Sequence, residues 1–194
     1  MFASLAAGDE YFDCRSGQGD YLFSAGRYGR DFPTLLAALE GSHTPVIIVS
    51  DAENRASLSL QLAANQRVTY MEEIAYKEFS RLMAQARLVV IPLAATAYHT
   101  GQTVLVQAMA MGKAVVVAKG PGTIDYVEDG VDALLYEPGN SAQLRSILDL
   151  LQNNPAEALR LGKAARARAL RDFTEASFVQ TLIKEIEHGT QQKS

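Results

Sequence analysis

The sequence predicts an α/β fold built on a doubly wound parallel sheet of about six strands, closed at the C-terminus by helices. Three observations predict it. Short apolar runs rich in β-branched residues recur along the chain. Segments with apolar residues at helical spacing lie between them. From Ser141 onward the composition turns Ala/Leu/Arg-rich and reads as helix throughout.

The apolar runs are Tyr21–Ala25, Pro45–Val49, Arg67–Tyr70, Leu88–Ile91, Ala114–Val117 and Ala133–Tyr136. Continuous runs of this length suit strands covered on both faces. Phe32, Leu35, Leu36 and Leu39 form one helical stripe, and Phe79, Leu82, Met83 and Ala86 form another. Val104, Val106, Ala108 and Met111 sit in a third segment that is apolar nearly all round. The spacing fits a 3.6-residue period. Strand, helix, strand at this cadence gives right-handed crossovers and a parallel sheet. In the tail, Pro155 suits a first helical turn and Thr174 suits an N-cap with Glu175 behind it. Three closing helices are predicted over about 141–152, 155–171 and 174–188, with residues 189–194 as a frayed polar end. Residues 1–20 do not join the alternation. Asp13–Asp20 is polar, contains Gly17 and Gly19, and reads as a linker from a preceding domain. Residues 21–188 then form the folded domain.

Composition narrows the function. The chain has 194 residues, 48% hydrophobic and 21% charged, with 14 Gly and 6 Pro, which suits one globular domain and excludes disorder, collagen and coiled coil. The single cysteine, Cys14, excludes an intrachain disulfide and a cysteine-based zinc site, and fits a reducing compartment. The net charge of −4 leaves no basic surplus for a nucleic-acid backbone, so no nucleic-acid partner is expected. The longest apolar stretches are about five residues, against the ~20 that span a bilayer. The first ten residues lack the basic start and apolar length of a secretory signal. A cytoplasmic protein is expected, at most peripheral to the inner face of a membrane.

In open α/β sheets ligands bind beyond the carboxyl ends of the strands. After the first strand, Ala25-Gly26-Arg27-Tyr28-Gly29-Arg30-Asp31 offers two glycines for close approach and two arginines as bidentate donors. This suits a phosphate or diphosphate; the alternative is a glycine turn with solvated arginines. It is neither a P-loop nor a G-x-G-x-x-G fingerprint. After the fourth strand, a long loop reaches Thr100, Gly101, Gln102 and Thr103 and runs into the apolar helix. Its N–H groups could receive an anion, although a simple Thr100 or Thr103 cap is the favoured reading. Gln107, polar within that helix, needs a partner in the core or a ligand hydroxyl. After the fifth strand, Lys119 precedes a Gly-Pro-Gly turn and a short helix. Lys119 could meet phosphate, but a lone lysine is more often solvated. The three histidines, His43, His99 and His188, form no metal-binding pair, and no nucleophile elbow or D-x-D motif is present.

The ordered set of motifs resembles the C-terminal, nucleotide-sugar-binding half of GT-B glycosyltransferases, particularly glycosyltransferase family 4. Gly26-Arg27 follows the first strand, and Val90-Ile91-Pro92 ends the fourth. Gln107-Ala108-Met109-Ala110-Met111-Gly112-Lys113-Ala114-Val115-Val116 resembles the family's motif helix and next strand. Gly122–Gly130, Ala133–Gly139, Gly162–Arg166 and Asp172-Phe173-Thr174 follow in the family's order. The resemblance covers about 21–188, and Ala7–Phe12 looks like the family's interdomain segment.

The resemblance implies a Rossmann-like domain, one half of a GT-B fold, that binds a UDP- or GDP-sugar for a retaining transfer without a metal. The acceptor-binding half would be missing from this chain. Arg27 would contact the diphosphate, with Arg30 or Lys119 as the second cation. Met71 and Glu72, in the turn from Met71 to Ile74, would lie beside the base. His99 stands where the family has a first glutamate facing the sugar, and Gln107 where a second glutamate holds the ribose. Gly101, Gln102 and Thr103 would approach sugar and phosphate. Arg27 and His99 are the expected catalytic positions; Gly26 and Thr100 complete the expected donor site. Because both glutamates are replaced, a non-catalytic binding or assembly module presenting Tyr98–Thr103 is the alternative, with a sugar-nucleotide epimerase of related fold as a third. Phe2, Leu5, Tyr11, Phe12 and the last helix are expected to face the missing half, or to pair two copies of the chain.

Overall fold

Why the strands are mostly apolar runs is visible in the sheet. β1 (Leu22–Ala25), β4 (Leu88–Ile91) and β5 (Val115–Ala118) are buried at every position, because helices cover both faces. With β2 (Val46–Ser50), β3 (Val68–Glu72) and β6 (Leu134–Tyr136) they form one six-stranded sheet, all parallel, in the order β3-β2-β1-β4-β5-β6. This computed structural model describes residues 5–191 except 15, 16, 18 and 96–98. β3, at one edge, is only partly buried.

The predicted helices form α2 (Phe32–Ala38), α5 (Tyr76–Gln85) and α6 (Gln102–Ala110), then α7 (Ser141–Asn153), α8 (Pro155–Asp172) and α9 (Glu175–Gln191). Their ends follow capping chemistry. Asp31 accepts from the Thr34 N–H, Asn140 from that of Gln143 and Asn154 from that of Glu157. Thr174 accepts from the Ser177 N–H, as its sequence context predicts. α6 buries six of its residues, which explains its nearly uniform apolarity.

Three short helices carry no periodic signal: α1 (Asp9–Asp13), α3 (Ala52–Ser57) and α4 (Ser59–Ala64). α3 and α4 bury no residue fully, so no apolar stripe marks them. The predicted short helix after Lys119 does not form. Residues 121–126 are turns, held by Thr123 N–H to Gly120 O (2.9 Å) and Tyr126 N–H to Thr123 O (3.0 Å). The Thr123 hydroxyl ties this turn back to the Ala118 carbonyl at 3.0 Å.

The N-terminal segment also departs from expectation. Tyr11 is 3% exposed within the core, and Phe12 packs partly buried against it. Ala7 N–H donates to Phe173 O at 2.8 Å, and Arg166 Nη2 donates to Phe12 O at 2.7 Å. These two aromatic residues therefore fold onto this domain instead of waiting for another surface. Leu5 is exposed, as are Val179, Leu182, Ile183 and Ile186 along one face of α9. Phe2, Tyr98 and residues 192–194 lie outside the described residues.

Candidate functional site

The sheet order reverses direction between β1 and β4, and a cleft of about 590 Å³ opens beyond their carboxyl ends. One wall is the turn after β1, with Gly26, Arg27, Tyr28 and Arg30. The facing wall runs from His99 through Thr103 into α6, as far as Gln107. Tyr11, Tyr76 and Phe79 close a third side.

Arg27 is exposed at the rim, and its charge helps hold the Asp51 carboxyl below its usual range, after the dominant hydrogen bond from the Asn54 N–H. Arg30 is committed to the turn. Its Nε donates to Ala25 O at 2.7 Å and its Nη1 to Tyr28 O at 3.1 Å. Burial lowers its pKa to about 10, so it remains a cation at neutral pH. Asp31 N–H to Pro92 O (3.1 Å) and Ala94 N–H to Gly29 O (3.0 Å) fasten this turn to the segment after β4.

The first turn of α6 faces the cleft without a side-chain cap. The cap expected from Thr100 or Thr103 is absent because Gly101 occupies the N-cap, at φ +93°. That conformation favours glycine, and a Cβ there would also lie 3.1 Å from Leu93 Cδ1. The outcome is a helix N-terminus whose leading N–H groups have no side-chain cap among the described residues and open toward the cleft. Behind it, the turn after β5 comes close: a Cβ on Gly122 would stand 2.8 Å from both the N and the O of Thr100. The Thr100 loop is thus braced backbone against backbone.

Gln107 is half-buried on α6, and its side chain has no hydrogen bond to a described residue. The aromatic side is ordered by its own contacts. Tyr76 meets Tyr11 edge to face at 5.6 Å and donates to Glu10 Oε1. Burial and that bond push the Tyr76 phenol pKa well above its ordinary value. Phe79 meets Phe23 edge to face at 5.4 Å.

The structure thus gathers Gly26, Arg27, Arg30, His99, Thr100, Gly101, Gln102, Thr103 and Gln107 around one cleft. It does not bring three other expected residues there. Met71 and Glu72 end β3, two strands away from the switch point; Met71 packs on the core and Glu72 pairs with Arg55. Lys119 pairs with Glu137 at 2.6 Å and does not line the cleft. Sequence reasoning missed Tyr11, Tyr28, Tyr76 and Phe79. Only the aromatic at the start of α5, soon after a strand end, marked Tyr76. Among the described residues, no group of three or more His, Cys, Asp or Glu could hold a metal ion. No described helix is long and apolar enough to cross a membrane.

Sheet order defines the class: a Rossmann-like, doubly wound domain with a cleft at its switch point. The chain belongs to the glycosyl transferases group 1 family, whose model matches residues 29–153. Among solved structures, it is similar to Anabaena Alr3699/HepE in complex with UDP-glucose, with 24% identity and TM-score 0.77 over 88% of this chain and 49% of that one. It is similar to sucrose-phosphate synthase from Thermosynechococcus elongatus at 20% identity and TM-score 0.80, covering 100% of this chain and 53% of that one. The C-terminal domain of the group 1 family protein LpcC from Francisella tularensis is matched over 97% of its length and 89% of this chain, at 14% identity and TM-score 0.68. The chain therefore spans about half the length of Alr3699/HepE and of the synthase, and nearly all of the isolated C-terminal domain. No curated protein matches the sequence.

Proposed function

We propose that this chain is the donor-binding half of a retaining glycosyltransferase, gripping a UDP- or GDP-sugar while an acceptor-binding half closes the cleft. One observation carries the reading: Arg27, Arg30 and the uncapped N-terminus of α6 converge on a single cleft. The structure of Alr3699/HepE, which contains UDP-glucose, supports it as an analogy of fold.

When the glycosidic C–O bond breaks, negative charge builds on the departing diphosphate. Arg27 and the leading N–H groups of α6 supply fixed positive potential there, so they favour the transition state over the bound donor. Gln107 can donate to and accept from a ribose diol, in place of a carboxylate that could only accept. His99 lies toward the sugar. The acceptor half would cover the exposed apolar face of α9.

Calorimetric titration tests the reading. UDP or GDP is expected to bind, and Arg27→Ala is expected to weaken that binding by about 10- to 100-fold, the range for hydrogen bonds to a charged group. Absence of heat with both nucleotides at millimolar concentration overturns it.

A further inference from the structure

We infer that Ser50 and Asn54 are positioning residues that aim the backbone of the turn after β1 into the cleft, an inference that rests on the donor-binding reading. That turn lies between the segment after β2 and the segment after β4, because β1 sits between those strands. On the β2 side, Ser50 Oγ donates to the Gly26 carbonyl at 2.7 Å. Asn54 Nδ2 donates to the Arg27 carbonyl at 2.9 Å. The same amide lies 3.0 Å from Ser50 Oγ, so the two side chains act as one clamp. Ser50 is buried, and Asn54 is held in place by Asp51 Oδ1, which accepts from both its N–H and its amide at 2.9 Å.

The consequence follows from peptide geometry. In a trans peptide the carbonyl and the next N–H point in opposite directions, and the chain has no cis bond among the described residues. With the Gly26 and Arg27 carbonyls drawn toward β2, the N–H groups of Arg27 and Tyr28 face the β4 side. That is where the cleft lies, and both residues line it. Two successive backbone donors thus stand opposite the N-terminus of α6, an arrangement suited to phosphate oxygens. Ser50 and Asn54 fix this orientation from behind, through the turn.

The test uses Ser50→Ala, Asn54→Ala, the double variant and Ser50→Thr, with UDP calorimetry and amide NMR spectra. Each alanine variant is expected to weaken UDP binding by about tenfold, one hydrogen bond's worth of orientation. The double variant is expected to lose less than the product of the two singles, because one clamp is broken twice. Ser50→Thr keeps the hydroxyl and is expected to restore native affinity. In the free alanine variants, the Arg27 and Tyr28 amide signals should move while those of β5 and α8 stay. In the native protein, the same two signals should move when UDP or inorganic pyrophosphate is added. Native affinity in both alanine variants, or unmoved Arg27 and Tyr28 signals in the free variants, overturns the inference. Weakened binding accompanied by shifts throughout β5 and α8 also overturns it, as general damage to the fold. If the native protein binds neither UDP nor pyrophosphate, the donor-binding reading falls, while the free-state signals still decide the positioning.

Discussion

Gly162→Ala is expected to destabilise the protein, although alanine is the better helix former. Gly162 is buried in α8 where that helix crosses the Gly112 turn. A Cβ there would collide with the Gly112 carbonyl oxygen, stand 3.1 Å from its carbon and 3.3 Å from Ala114 N. These are backbone atoms of the turn leading into β5, so no side chain can swing aside. Overpacking costs up to about 3 kcal/mol, and the helix preference of alanine returns about 1 kcal/mol. The net loss of about 2 kcal/mol corresponds to a Tm fall of about 4–8 °C for a chain of this size. Thermal unfolding followed by circular dichroism checks it; an unchanged or higher Tm would show that α8 can retreat without cost.

Lys113→Met is expected to remove a rise in stability between pH 7.5 and 10. Lys113 is buried, and its Nζ donates to Gly17 O at 2.7 Å and Ala84 O at 3.1 Å. Burial lowers its pKa from 10.5 to about 8. The folded state therefore holds this proton less tightly than the unfolded state. Below pH 8 both states are protonated and the full cost of the buried charge is present. As pH rises from 8 toward 10.5, the folded state releases the proton first, so stability climbs. The native protein should gain about 2 kcal/mol over that span relative to the methionine variant. Denaturant unfolding of both proteins at pH 7.5 and 10 measures the difference. The tyrosine phenols whose pKa values are raised, such as Tyr11 and Tyr70, oppose this only above their ordinary value of 10 and are common to both proteins. Parallel stability profiles for the two proteins would exclude Lys113 as the source.

The core of the fold was legible because burial writes itself into composition. A strand covered on both faces is apolar nearly throughout: Leu88–Ile91 and Val115–Val117 are so at every residue, and β1 is save for Ser24. Helices α3 and α4 were not legible, since they bury no residue fully and so leave no stripe. The candidate site divides along the same line. Residues carried on loops at the switch point, such as Arg27 and Gln102, follow from strand order and end in one cleft. Met71, Glu72 and Lys119 required knowing where a neighbouring partner sits. Arg55 and Glu137 claim the two charged ones, and both partners are distant in sequence. The absence of a threonine cap was hidden for another reason: only the φ of Gly101 shows that the cap position is taken by a residue with no side chain to offer.

The near-contact of Gly122 with Thr100 has a practical meaning for redesign. Backbone meets backbone behind the His99–Thr103 wall, so no trimming of side chains there can make room. Widening the cleft for a bulkier guest has to begin on its aromatic side. There Tyr76, 52% exposed, stands as a removable ring.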